Sequence, residues 1–143
     1  MGRIIVHLHG RPKQQSFSQL IKKYSERLKS RNIKLEIHSD KLNSDDYQNR
    51  LMDNKIIFFL DERGSEFSSL ELSKKVTDWS LGSDDVHLAI GPVDGWPQKG
   101  KIDTKDFIRL SKMTLPHELA AVVLLEQLYR STEIIKGTLY HRI

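Results

Sequence analysis

"KIIFFLDERG", residues 55–64, decides the fold class. Ile56 to Leu60 are apolar without a break. A strand turns successive side chains to opposite faces, so such a run must be buried on both. A parallel sheet covered by helices on either side provides that burial. Working outward, "RIIVHLH" (3–9), "IKLEIHS" (33–39) and "DVHLAI" (85–90) read as further strands, and "DFIRLSKM" (106–113) as a short fifth. Helical segments alternate with them. Ser16 is placed to cap a helix reaching about Arg31, with Phe17, Leu20, Ile21, Tyr24 and Leu28 on one stripe. A short helix runs from Asp45 or Asp46 to about Asp53. Another spans 68–81, with Leu72, Val76 and Trp79 on one side. Pro116 suits a first helical turn, and the helix it opens continues to about Ser131 before the tail "TEIIKGTLYHRI". This order predicts one α/β domain, residues 1–143, with a mainly parallel sheet flanked by helices.

Bulk properties narrow the class. A chain of 143 residues with 38% hydrophobic and 29% charged content suits one soluble globular domain with a core. No apolar stretch is long enough to span a bilayer, and no signal-peptide block opens the chain, so the expectation is cytoplasmic. Cysteine is absent, which excludes disulfides and thiolate metal sites. A net charge of +4 permits a polyanionic partner without requiring one. The last helix is apolar around most of its circumference: Leu119, Val122 and Val123 mark one face, and Ala120, Ala121, Leu124 and Leu128 mark others. Such a helix is covered on two sides, either by a second subunit or by its own chain.

Ligands of open parallel sheets bind beyond the carboxyl ends of the strands. Three such ends stand out: Leu60 to Gly64, Ile90-Gly91, and Leu110 to Pro116. The loop "GPVDGWP" (91–97) is stiff and flanked by glycine, as the wall of a slot would be. There is no G-x-G-x-x-G and no Walker loop, so a ligand here does not depend on a cradled phosphate. Asp61 and Glu62 fit a ribose contact or plain loop solvation. His117 reads as a hydrogen-bonding group at a helix start. His7 and His9 share one strand face, but no cysteine or evident carboxylate accompanies them, so they read as structural and no metal is expected.

"LAIGPVDG", "LSKMTLPHELAAVVLLEQLYRS" and the terminal "YHR" resemble the bacterial 23S rRNA pseudouridine-N3 methyltransferase family, the small single-domain branch of the SPOUT class. The resemblance is strongest in the last third. It implies a C-terminal trefoil knot, a homodimer, S-adenosylmethionine as cofactor, and a pseudouridine of large-subunit rRNA on the ribosome as substrate. It also implies that Leu60, Gly91, Leu110, Ser111, Lys112, Met113, Thr114 and Leu115 contact the cofactor. Two positions depart from the family pattern: Pro92 stands where a second glycine is usual, and Ala121 where an arginine often is.

N3 of a neutral base carries a proton, so methylation there needs proton removal or stabilisation of the developing anion. With the resemblance in place, His141 is the candidate proton acceptor and Arg142 the candidate to hold a base oxygen or phosphate. Arg130 suits the same fork-like contact, and Tyr140 suits stacking on the base. The alternatives are a non-enzymatic RNA- or ribosome-binding relative with an altered pocket, and an α/β enzyme acting on a small metabolite.

Overall fold

A computed structural model describes residues 2–142. Five strands form one parallel sheet: β1 (Ile4–His9), β2 (Ile33–His38), β3 (Ile57–Glu66), β4 (Val86–Ala89) and β5 (Phe107–Arg109). The spatial order is β2-β1-β4-β3-β5, with every neighbouring pair parallel. Helices α1 (Gln15–Lys29), α2 (Ser44–Met52), α3 (Ser69–Leu81) and α4 (His117–Lys136) connect or follow the strands.

The apolar run of β3 is split between two cores, as its pattern requires. Phe58 and Leu60 join the cluster built with α1, α3 and α4. Ile57 and Phe59 join Tyr47 and Leu51 of α2, with Trp96 and Phe107. The sheet is therefore covered on both faces.

Helix α4 lies against both α1 and α3. Ala121, Leu124, Leu125 and Leu128 are buried within the single chain, while Leu119 and Val123 are only half-buried. Its own chain thus provides most of the two-sided cover. Helix α1 begins at Gln15, and its N-cap, Gln14, makes no side-chain cap. The expected Ser16 cap gives way to a tertiary one: the buried Glu118 carboxylate of α4 accepts the backbone N–H groups of Lys13 (3.1 Å) and Gln14 (3.3 Å). A carboxylate is favourable at this electropositive end.

Other element boundaries differ from expectation. Helix α4 continues through Thr132 and Glu133 to Lys136 and ends at Gly137, whose φ of 75° provides the left-handed stop. Arg31 explains the extension: its guanidinium donates to Thr132 Oγ1 (2.6 Å) and Glu133 Oε2 (2.9 Å), so polar residues are held in the helix. Strand β5 stops at Arg109. The hydroxyl of Ser111 then accepts the Met113 N–H at 3.0 Å, turning the chain out of the sheet. Strand β3 carries an irregularity in which both Leu60 and Ser65 register with Ile108, so Asp61 to Gly64 form a bulge without partners in the β5 ladder.

Candidate functional site

The carboxyl ends of β3, β4 and β5 surround a cavity of about 550 Å³. That is within the range of small-molecule sites. Leu60, Gly91, Leu110, Ser111, Met113, Thr114 and Leu115 all line it, so seven of the eight residues picked out for the cofactor converge on one space. Lys112 does not; it is exposed and outside the lining. Met113 forms an open lip, with 77% of its surface exposed.

The wall after β4 owes its shape to Trp96, which is buried. Its indole N–H donates to the Leu60 carbonyl at 2.9 Å. The indole stacks on Tyr47, with centroids 5.7 Å apart, and meets the edge of Phe59 at 4.9 Å. Burial holds the Tyr47 phenol protonated, and it donates to the Ile90 carbonyl at 2.8 Å. The Gly95 N–H closes a turn onto the Pro92 carbonyl at 2.8 Å, with Gly95 at φ 84°. Gln48 clamps the far end of the loop: its amide donates to the Gln98 carbonyl (2.8 Å) and accepts the Gln98 N–H (3.1 Å). Pro92 is buried and lines the cavity without a positive φ, so the departure from glycine fits this backbone. Sequence reasoning passed over Trp96, although the Gly-Trp-Pro string marks it: a tryptophan between two turn formers is seldom left in solvent.

Charges around the cavity are mostly engaged. The Asp61 carboxylate meets Lys99 Nζ at 3.5 Å and Arg63 Nε at 3.4 Å. Glu62 accepts the Thr114 hydroxyl, tying the β3 bulge to the segment after β5. Arg109 pairs with Glu66 at 3.0 Å, yet its Nε is buried without an acceptor. An orphaned buried donor is costly, and an acceptor on a bound molecule would relieve it. His117 and Ala120, from the first turn of α4, complete the floor. Burial, assisted by His9 and Lys13 and opposed by Glu118, lowers the His117 pKa, so its ring is neutral at neutral pH.

The other predicted residues lie elsewhere. Arg130, Tyr140 and His141 cluster at the far end of α4. Arg130 donates to Glu126 (2.8 Å) and to His141 Nδ1 (3.1 Å). Its guanidinium lies over the Tyr140 ring, 5.0 Å from the centroid, and the Tyr140 hydroxyl also donates to Glu126 at 2.8 Å. With Arg130 donating to Nδ1, a neutral His141 carries its proton on Nε2 and presents a donor. Arg142 is exposed. Arg130 stands thirteen helical steps beyond His117, which at 1.5 Å per residue is about 20 Å. Within one chain the cavity and the C-terminal cluster do not meet. Ala121 is fully buried, so it faces the core and not an RNA.

His7 and His9, two residues apart on β1, bond to different partners. His7 bonds to His38 and His87, and Glu36 is the nearby carboxylate that the sequence did not reveal. His9 instead bonds to the Leu42 carbonyl and stacks on Tyr47.

The SPOUT family profile, described as "Predicted SPOUT methyltransferase", matches residues 3–141. The chain is 43% identical over 86 residues to the ribosomal RNA large subunit methyltransferase H of Acidovorax ebreus (strain TPSY), a segment covering 60% of this chain and 56% of that protein. It is 46% identical over 86 residues to the protein of the same name from Albidiferax ferrireducens (strain ATCC BAA-621 / DSM 15236 / T118), with the same coverage. The matched segment thus spans little more than half the length of these relatives. A candidate RNA methyltransferase from Bacillus anthracis superposes with a TM-score of 0.50 at 12% identity, over 91% of this chain and 94% of that one, and supports the fold alone. With the parallel sheet and the cavity at its carboxyl end, the match over nearly the whole chain places this protein in the SPOUT methyltransferase family.

Proposed function

We infer that this protein methylates N3 of a pseudouridine in 23S rRNA, using S-adenosylmethionine, as a cytoplasmic homodimer acting on the ribosome. The observation that carries this reading is the convergence of Leu60, Gly91 and the 110–115 segment on one cavity. The cavity fits the cofactor's chemistry. Apolar side chains such as Leu60, Leu110 and Leu115 line it, the sequence carries no glycine-rich phosphate motif, and the orphaned Arg109 Nε awaits an acceptor such as a carboxylate or hydroxyl. S-adenosylmethionine, when bound, supplies a methyl group on a sulfonium centre. In this reading Leu60 and the 110–115 segment hold it in a trefoil-knotted crossing, and Trp96 keeps the Gly91 wall in place.

The separation of about 20 Å between His117 and Arg130 supports a two-chain site. The cavity of one subunit would be completed by the tail of the other. Leu119 and Val123, half-buried on α4, provide apolar surface for such packing. Arg142 would hold a base oxygen or a phosphate. His141, bonded through Nδ1 to Arg130, would donate from Nε2 to charge developing on the base; it accepts the N3 proton only once the Arg130 contact is released. Arg130 and Tyr140 would first have to exchange their Glu126 contacts to meet RNA directly.

Calorimetry with S-adenosylmethionine and its demethylated product tests the cofactor. Binding with one site per chain is expected. No binding at ~1 mM ligand, which corresponds to only about 4 kcal/mol, would leave the non-enzymatic ribosome-binding reading. Mass spectrometry of rRNA from a strain lacking the protein, with and without add-back, then identifies the nucleotide.

A further inference from the structure

The face of the sheet covered by α2 carries a histidine chain that the cavity does not use. His7 Nδ1 lies 2.8 Å from His38 Nε2, and His7 Nε2 lies 2.8 Å from His87 Nδ1. Parallel register explains the grouping. His7 of β1 stands opposite Glu36 of β2, and His38 is two residues on, on the same face. On the other side His7 pairs with Ala89, whose small side chain leaves room for His87, two residues earlier. One donor atom each from His7, Glu36 and His38 lies within 4.8 Å of the other two. His7 and His38 are buried, while Glu36 is exposed and open to solvent.

We propose that His7, His38 and Glu36 form a binding site for a zinc-class divalent transition ion, with His87 as the outer partner that orients His7. The donor set is two imidazoles and a carboxylate, one of the sets zinc takes while keeping a fourth position for water. Two paired strands, β1 and β2, hold it, and β4 adds His87. Bonds of about 2.0–2.1 Å at a tetrahedral angle place the two nitrogens about 3.3 Å apart, so the His7–His38 pair opens by about half an ångström. In the metal-bound arrangement His7 Nε2–H donates to His87 Nδ1, the contact that fixes tautomer and ring orientation in metal-ligating histidines. Burial first, and then His38, His87 and Lys34, lower the His7 pKa to about 3. Burial also lowers that of His38, opposed by Glu36 and assisted by Arg50 and His9. In the hydrogen-bonded pair one facing nitrogen donates to the other, so the ion displaces that shared proton and both nitrogens then offer lone pairs. Glu36, exposed at the site's edge, gives the ion a route in from solvent.

The test uses the untagged full-length protein after dialysis against a chelator. Zn²⁺ is titrated by calorimetry, Co²⁺ is followed by its visible absorption, and Mg²⁺ serves as the hard-ion comparison. One equivalent of Zn²⁺ per chain is expected at ~micromolar or tighter affinity, with an intense tetrahedral Co²⁺ spectrum and no Mg²⁺ binding. His38→Ala should abolish the site. Glu36→Gln, at an exposed position that leaves the core intact, should weaken it by at least ~10-fold, and His87→Ala by ~10–100-fold. Zn²⁺ should also raise the melting temperature of the wild type but not of His38→Ala. Absence of saturable binding to the wild type overturns the proposal. So does Zn²⁺ binding that is unchanged in folded Glu36→Gln, or Mg²⁺ binding equal to that of Zn²⁺.

Discussion

The Trp96 indole N–H donates to the Leu60 carbonyl across 2.9 Å, joining the loop after β4 to the neighbouring strand β3. This bond fixes the spacing of two cavity walls. Trp96→Phe keeps a ring between Tyr47 and Phe59 but leaves the carbonyl unpaired. A stability loss of ~1–3 kcal/mol is expected in urea titrations, with weaker S-adenosylmethionine binding by calorimetry. Unchanged cofactor affinity would show that the clamp does not shape the cavity.

Gly91 packs against the same indole. A Cβ there would lie 3.2 Å from Trp96 Nε1 and 3.4 Å from Cε2. The indole is held by Tyr47 and Phe59 and has little freedom to retreat. Gly91→Ala is expected to cost ~1–3 kcal/mol through overpacking and to lower cofactor affinity. The comparison to make is Gly91→Ala with Gly100→Ala, because a Cβ at Gly100 meets nothing within 4 Å.

Gly64 sits in the β3 bulge, where a Cβ would come within 2.5 Å of Ile108 Cα and C. These are backbone atoms of a paired strand and cannot swing aside. Gly64→Ala should cost ~1–3 kcal/mol or more and raise hydrogen exchange in β5. A variant as stable as the wild type would mean that β5 pairs differently.

Arg142→Ala should lower methylation more than cofactor affinity, because the tail lies far from the cavity of its own chain. Mixing it with a cavity variant, Trp96→Ala, tests the two-chain site. Heterodimers would regain one complete site, so an equal mixture should recover ~25% of wild-type activity from two nearly inactive proteins. Failure to recover any activity would argue that each chain completes its own site.

Arg3 and Asp85 tie the starts of β1 and β4 through a bond of 2.8 Å. Hydrogen bonding from Arg3, then its charge, holds the Asp85 carboxyl below its ordinary value of 3.8. A depressed folded-state value means that the stabilisation is complete above the unfolded value and fades as pH falls through the folded one. Asp85→Asn should therefore lower the melting temperature slightly near pH 7, and the difference should close as the pH falls below the ordinary carboxylate range. Both side chains are substantially exposed, so added salt should shrink the effect.

Period and composition alone determined the strands, the helices and their alternation. The apolar run Ile56–Leu60 specified a sheet buried on both faces because side-chain direction in a strand is fixed by local geometry. The converging strand ends were legible for the same reason: a parallel sheet places all its carboxyl ends on one edge. Only the tertiary structure decided which distant residues meet. Glu118 caps α1 across more than a hundred residues, and Arg31 extends α4 through Thr132 and Glu133. Trp96 sets a wall by reaching back to Leu60, and three strands gather His7, Glu36, His38 and His87 on one face. None of these pairings leaves a mark at short sequence spacing, since strand order and register, not chain proximity, bring the partners together.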